Sequence, residues 1–238
     1  MNRLQRFAIL SCVALFVNID FADACGSDSG RSGSGTNRRT GGGSRGKGFQ
    51  STASDLVGGN AREEAWASRG AGSEITSASD LTCNSFGSDC RWHNVDGPDV
   101  LDWTKGYGRP AQSALRSLTS TSVTPVEPYA VAFPDEKRPA EDAAFLVSDP
   151  VPCQEGDGEL SFTYWTSVNS DVKVCTRAVG SSSSTSCSSA ITTGDPGPAF
   201  VNIEASDQPF EMYVLGENFD TKDDFVLVDD LEYNARLC

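Results

Sequence analysis

Six cysteines between positions 83 and 238 constrain this chain most, because a sequence typical of an export signal precedes them. Arg3 and Arg6 stand before an apolar run, 7–17, and the small residues Ala22 and Ala24 precede a predicted cut. As a helix that run spans roughly 16 Å, about half of a ~30 Å bilayer core, so residues 1–24 are predicted to be a signal peptide and not a membrane anchor. The remaining chain is expected to be secreted, with no membrane span, and its cysteines oxidised.

The cysteines are predicted to form structural disulfides, although six of them allow fifteen pairings. Spacing favours a small loop closed by Cys83–Cys90 and a bridge from Cys175 to Cys187 across a serine-rich turn, which leaves Cys153 and Cys238 as the third pair. A zinc site is not expected, because no C-x2-C pair occurs. Cys25 makes the count odd after the signal, and an intermolecular bridge, a free thiol and a lipid-modified terminus all remain open for it.

Charge divides the chain into a weakly basic segment and a strongly acidic body. Residues 25–53 carry five basic and one acidic side chain, whereas residues 75–238 carry ten basic and twenty-six acidic ones, a net charge of −16. Residues 25–76 are rich in Gly, Ser and Arg and too poor in apolar side chains to form a core, which predicts a disordered linker with a short helix at 61–68. Residues 77–238 are predicted to form one domain. Its acidity argues against nucleic acid as a partner and leaves divalent cations and basic protein surfaces open.

Alternating apolar and polar residues after position 77 predict an all-β domain. The clearest strand is 159–165, where Leu160, Phe162 and Tyr164 share one face. A second strand is expected at 171–177, and further strands at 199–205, 209–215 and 224–233. No helical period longer than two turns interrupts them. Short strands separated by turn residues favour an antiparallel β-sandwich.

Four stretches, in one order along the chain, resemble the MAM domain family of extracellular modules. Residues 83–94 hold two close cysteines, the second followed by Arg-Trp, and residues 99–103 place an acid beside Trp. Residues 158–165 are similar to the central strand of that family, and 225–233 to its closing strand before the last cysteine. The resemblance implies a jelly-roll sandwich and a role in adhesion or extracellular protein contact. The usual Phe-Glu after the first cysteine is absent, which puts a family cation site in doubt.

Candidate catalytic residues are sparse, so no catalytic activity is predicted. His93 is the single histidine and is expected to point outward from a strand beside a buried Trp92. Asp229 and Asp230 are adjacent on a strand and therefore face opposite sides, which prevents them from flanking one glycosidic bond. One of them is expected to bind loop backbone or to join Asp99 and Asp102 in a Ca²⁺ site, since calcium takes six to eight oxygen ligands.

Two functions compete at this point. The leading prediction is a non-enzymatic module that binds an extracellular protein or a second copy of itself. The alternative is a carbohydrate-binding module or a glycan-active enzyme on the same scaffold. A concave face lined by exposed Trp or Tyr, or two carboxyl groups ~5–10 Å apart in a cleft, favours the sugar alternative, whereas a closed surface with the large aromatic residues inside favours the contact module. The large aromatic residues are instead expected in the core; they are Trp92, Trp103, Phe162, Tyr164 and Trp165.

Overall fold

Two antiparallel sheets pack face to face as a jelly-roll sandwich, which confirms the predicted fold class. The computed structural model describes the backbone of residues 63–65 and, in full, residues 74–95, 101–134, 136–139, 142–181, 186–191 and 197–238. A 3-10 helix, Ala78–Leu81, and one α-helix, α1 (Gln112–Thr119), accompany the strands. The strands are β1 Glu63–Ala65, β2 Trp92–Asn94, β3 Thr104–Gly106, β4 Tyr129–Ala132, β5 Ala143–Ser148, β6 Gly158–Thr166, β7 Asp171–Ala178, β8 Ser186–Cys187, β9 Gly197–Ile203, β10 Phe210–Glu217 and β11 Val226–Asn234.

The sheets interleave segments that are distant in sequence. The six-stranded sheet has the order β1-β3-β4-β11-β6-β9, and the five-stranded sheet the order β2-β5-β10-β7-β8. Strand β11 lies between β4 and β6, and β10 between β5 and β7. The last two long strands therefore complete both sheets, which makes the sandwich depend on residues near the end of the chain.

The predicted strands are confirmed, but the predicted start of the domain is wrong. The segment 159–165 lies within β6, and 171–177 lies within β7. Strand β1, however, falls inside the segment predicted to be a linker and pairs with β3, so the short helix predicted there is also wrong. Ile75 is buried in the core as well. The folded body thus begins before residue 77, because a three-residue strand carries no period for a sequence pattern to reveal.

The core lies between the sheets and is built by period-two alternation. Leu160, Phe162 and Tyr164 point into it from β6, as predicted, together with Trp92 from β2. The Trp92 indole Nε1 donates to the carbonyl of Leu81 over 2.8 Å, which satisfies the polar edge of the ring in the interior. The three predicted core tryptophans in the described residues are all buried, as expected; they are Trp92, Trp103 and Trp165.

Helix α1 covers one part of the outer face of the six-stranded sheet. Ala114 and Leu115 on the helix pack with Trp165, Leu227 and neighbouring apolar residues of the sheet in a second apolar cluster. The Trp165 indole donates to the carbonyl of Val123 in the loop after the helix over 3.1 Å. The helix has too few turns to show a sequence period, and its cover ends before the far half of β6, where polar side chains face outward.

A β-bulge in β11 reverses the alternation of its side chains. The pairing of β11 with β6 shifts between Asp229 and Glu232, and Asp230 takes the left-handed conformation at φ 53°. Leu227 and Asp229 face outward before the bulge, and Glu232 and Asn234 face outward after it. The extra residue therefore keeps apolar side chains in the core on both sides of the shift.

Three disulfides link the described strands and loops. They join Cys83 to Cys90, Cys153 to Cys238 and Cys175 to Cys187, which are the pairs that the spacing favours. Cys25 lies outside the described residues. Among the helices that the structure describes, none has the length and apolar character needed to cross a membrane.

Candidate functional site

Strand register brings three planar polar side chains into one row on the outer face of the six-stranded sheet. Glu159 on β6 pairs directly with Asn202 on β9 and, on its other side, with Asn234 on β11. Directly paired residues on one face place their Cβ atoms ~4.5–5.5 Å apart. Asn202, Glu159 and Asn234 therefore form a continuous amide–carboxylate–amide row across three neighbouring strands, which we call the polar row.

The polar row lies in a shallow depression that we call the outer groove. The groove has a volume of about 490 Å³ and is also lined by Asp157, Gly158 and Arg236. Gly158 has no room for a side chain, because a Cβ atom built there would lie 2.8 Å from the Cβ of Ala235. Arg236 Nε contacts Glu155 Oε2 at 2.9 Å, an exposed ion pair beside the groove. The groove is therefore polar and open to solvent.

The side chains of the polar row have no intramolecular hydrogen bond or ion pair with any residue that the structure describes, and all three are exposed. Each amide offers two donors and one acceptor, and the carboxylate of Glu159 offers acceptors only. Binding a ligand here would replace water and not an internal partner. The row is therefore available for a ligand whose own groups both donate and accept.

An exposed aromatic ring stands beside the polar row. Phe200 precedes Asn202 by two residues on β9, so the two side chains share a face and lie roughly 6.5–7 Å apart along the strand. Phe200 is 64% exposed, in contrast to the buried aromatic residues of the core. It pairs in register with Ser161 of β6, which in turn pairs with Glu232 of β11. A flat apolar ring and a row of planar polar groups thus occupy one surface.

Sequence reasoning missed this surface, although β9 carries a signal for it. Ala199 and Ile203 are buried and Val201 packs against the core, so the residues between them must face outward. Phe200 falls on that outward face, where a polar residue is the norm. The aromatic residues considered for a sugar platform are instead buried, and Phe200, which was not among them, is the exposed ring in the described part of the chain.

The predicted calcium ligands are not brought together in the part of the chain that the structure describes. Asp99 lies outside that part, and Asp102 and Asp230 are exposed. No group of three or more His, Cys, Asp or Glu side chains suited to a metal occurs among the described residues. The calcium site that includes Asp99 stays a prediction.

Asp229 holds loop backbone, as expected for one of the two adjacent acids. The residue is 1% exposed, and its Oδ2 accepts from the Val126 amide over 2.7 Å while Oδ1 accepts from the Asp230 amide over 2.9 Å. Burial raises the pKa of Asp229 to about 6, against the two hydrogen bonds, which lower it. The nearby charge of Asp230 raises it further. Asp229 therefore ties the loop before β4 to β11.

His93 points away from Trp92, as predicted, but it is not on the open surface. The residue is 7% exposed, and its Nδ1 lies 3.8 Å from Asp149 Oδ1. It lines a small cleft on the outer face of the five-stranded sheet. That cleft lies on the opposite side of the sandwich from the outer groove.

No family model matches the chain, and no curated protein matches it. Among solved structures, the carbohydrate-binding module TmCBM61 in complex with β-1,4-galactotriose is 14% identical, with 64% of this chain and 92% of that chain covered and a TM-score of 0.39. The CBM22-1 xylan-binding domain of Xyn10C from Paenibacillus barcinonensis is 10% identical, with 62% and 86% covered and a TM-score of 0.39. A putative sugar binding protein from Bacteroides thetaiotaomicron is 9% identical, with 68% and 93% covered and a TM-score of 0.39. Likeness at this level assigns no function to the chain.

Proposed function

We propose that this protein is a secreted carbohydrate-binding module that holds a glycan chain in the outer groove. The observation that carries the proposal is the polar row of Asn202, Glu159 and Asn234 beside the exposed ring of Phe200. Three disulfides in the described domain support an extracellular setting, where such bonds persist. The function proposed is therefore the alternative of the sequence analysis and not its leading prediction.

The chemistry of the groove suits sugar rings. A sugar hydroxyl both donates and accepts, and a planar amide or carboxylate can meet two neighbouring hydroxyls at once. One face of a sugar ring carries C–H groups, which pack against an aromatic face such as that of Phe200. Direct recognition by Asn202 and Asn234 and stacking on Phe200 then act on the same ligand.

The net charge of the domain favours a neutral glycan. Residues 75–238 carry a net charge of −16, and Glu159 and Asp157 both line the groove. An acidic glycan would be repelled by this field during approach and again at the groove. We therefore propose that chains of neutral sugars are the ligands.

Binding without hydrolysis is proposed for this site. A glycoside hydrolase needs a carboxyl group that stays protonated at working pH, which requires apolar surroundings, as well as a second carboxylate. The side chains of Asp157 and Glu159 are exposed to solvent beside amides, so neither has those surroundings. The groove thus offers recognition groups without a general acid.

A second candidate, contact with another protein, is supported by the position of β9. This strand forms an edge of the six-stranded sheet, and Phe200 is exposed on it. An exposed edge strand with an apolar side chain is a feature that protein partners also use. The resemblance to MAM domains implies the same role. The two candidates differ in whether the polar row contributes to binding.

An array of neutral and acidic oligosaccharides probed with the full chain, produced with its disulfides formed, tests the proposal. We expect binding to neutral chains and a loss of roughly three- to tenfold in affinity for Phe200→Ala, the value of one aromatic contact. Asn202→Ala should weaken binding by a similar factor, since one hydrogen bond contributes ~0.5–1.5 kcal/mol. Val168→Ala is the matched control, because Val168 is an exposed apolar residue outside the groove.

The variants also separate the two candidates. Capture of a protein that needs Phe200 but not Asn202 or Asn234 would favour the contact function. An array without any bound neutral glycan would refute the carbohydrate proposal. Unchanged glycan binding in Phe200→Ala would remove the outer groove as its site.

A further inference from the structure

A second cleft lies on the outer face of the five-stranded sheet and is not part of the outer groove. Strand register aligns His93 on β2 with Val147 on β5, and Val147 with Tyr213 on β10. Tyr213 pairs in turn with Cys175 of β7. The cleft opens beside this row and has a volume of about 200 Å³, and we call it the His93 cleft. Its lining includes His93, Val95, Val147, Arg177, Glu211 and Tyr213.

Tyr213 forms a fixed floor for the His93 cleft. Its ring packs edge-to-face on Phe145 with centroids 6.5 Å apart, and the Arg177 guanidinium carbon lies 4.8 Å above the ring centroid. The Tyr213 hydroxyl donates to Glu211 Oε2 over 2.7 Å. Tyr213 thus orders the carboxylate and the guanidinium that flank it before any ligand arrives, which lowers the cost of ordering them on binding.

Arg177 retains donors that its neighbours do not use. Its Nη2 lies 3.5 Å from Glu211 Oε2, which is a long contact for a charged pair. Its Nε is buried and has no hydrogen-bond partner among the described residues. The side chain is nevertheless 37% exposed, so part of the guanidinium reaches the open cleft. The exposed part of the Arg177 side chain can donate to a ligand oxygen in the cleft, whereas the buried Nε is out of its reach.

The charges around the His93 cleft balance, which favours a neutral ligand. Arg177 faces Glu211, and Arg91 pairs with Asp149 next to His93. Apart from the imidazole of His93, the two arginines and the two acids cancel. Val95 and Val147 add an apolar surface at the same place. A ligand that combines hydroxyl oxygens with C–H groups and carries no charge matches this lining.

The volume limits the ligand to one small ring. Pockets for drug-sized molecules span ~300–1,000 Å³, and this cleft is smaller than that range. We infer that the His93 cleft is a second binding site, which takes a single neutral sugar unit such as a chain end or a branch. Together with the outer groove on the opposite sheet it makes the module bivalent, a consequence that rests on the proposed function. Binding of one sugar unit in the cleft does not depend on the groove.

The test uses four single-sugar probes, the methyl glycosides of glucose, galactose, xylose and glucuronic acid, titrated into the full chain by NMR. We expect at least one neutral glycoside to bind, with affinity roughly tenfold lower in Arg177→Gln and in Glu211→Gln, since each change replaces a charged hydrogen-bonding group in the cleft by a neutral one. Phe200→Ala should bind the glycoside as the original chain does. Lys173→Gln is the matched control, because Lys173 lies on the same face of β7 and pairs with Glu217 outside the cleft.

Each outcome decides between the two sites. Thermal melting shows whether Arg177→Gln folds, and Glu211→Gln, which keeps the side-chain shape, serves if it does not. Binding of the glucuronide alone would overturn the inference. So would a glycoside affinity that is the same in both cleft variants as in the original chain. A glycoside that binds through the cleft while Phe200→Ala leaves oligosaccharide binding unchanged would uphold the His93 cleft and refute the outer groove. Oligosaccharide binding that requires Phe200, without binding of any single glycoside, would uphold the outer groove and refute the His93 cleft.

Discussion

Asp229 should make the stability of this domain fall as the pH rises from about 4 to above 6. Its carboxyl group is buried under the loop before β4, and burial raises its pKa from 3.8 to about 6. In the unfolded chain the group ionises near pH 4, whereas in the fold it keeps its proton until about pH 6. The fold therefore binds an extra proton between these values, and above them it holds a buried charge that the unfolded chain holds in water.

The size of the effect follows from the shift. One pKa unit corresponds to 1.36 kcal/mol, so ionised Asp229 lowers the free energy of unfolding by about 3 kcal/mol once the pH is well above 6. Asp229→Asn removes the charge. It also removes one acceptor, because both oxygens of Asp229 accept backbone amides and asparagine has only one acceptor oxygen. That loss costs about 1–3 kcal/mol and does not depend on pH.

Urea unfolding between pH 4 and 7.5 separates the two contributions. The free energy of unfolding of Asp229→Asn minus that of the original chain should rise by about 2–3 kcal/mol over this range, whatever its value at pH 4. Asp207→Asn, an exposed change of the same type, is the control and should show a nearly constant difference. A difference for Asp229→Asn that stays flat, or that falls as the pH rises, would refute the assignment of a buried, proton-retaining carboxyl group.

Two further predictions concern packing and covalent links. Gly106→Ala should lower the free energy of unfolding by about 1–3 kcal/mol, since a Cβ there would overlap the ring of Tyr129. Gly197→Ala should cost less, because its Cβ would lie 3.7 Å from the Tyr164 ring in an ordinary contact, and equal losses in thermal melts would contradict this reason. Replacing both cysteines of Cys153–Cys238, which are separated by 85 residues, should cost about 4–5 kcal/mol in chain entropy. Removing Cys83–Cys90, with a separation of 7, should cost only about 2–3 kcal/mol, and denaturant titrations that rank the two in the opposite order would exclude loop entropy as the cause.

Sequence reasoning reached the sandwich because its long strands carry the alternation that burial of one face of a sheet produces. Strands β6 and β7 are long enough to show that period, and their observed bounds lie within one residue of the prediction. Strand β1 and helix α1 were missed because three residues, or about two turns, give too little pattern to separate from chance.

The candidate sites depend on long-range register, which no local pattern contains. Glu159, Asn202 and Asn234 are far apart in sequence, and their side chains meet because β6 lies between β9 and β11. The His93 cleft has the same origin, since β2, β5 and β10 come together only in the folded sheet. The alternation of β9 indicates that Phe200 faces outward, but no sequence pattern indicates which residues of other strands lie beside it.

The bulge at Asp230 gives one residue control over the recognition surface. If Asp230 stayed in the strand but took a regular place in the ladder, the period of two would run unbroken through β11. Every side chain beyond that point would then have to change face, or the strand would have to slide. Glu232 and Asn234 would then face the interior in place of Leu231 and Tyr233. The outer groove would lose the amide of Asn234, and the core would lose two apolar side chains. The ligand-binding face and the packing of the core therefore both depend on which face each side chain of β11 occupies.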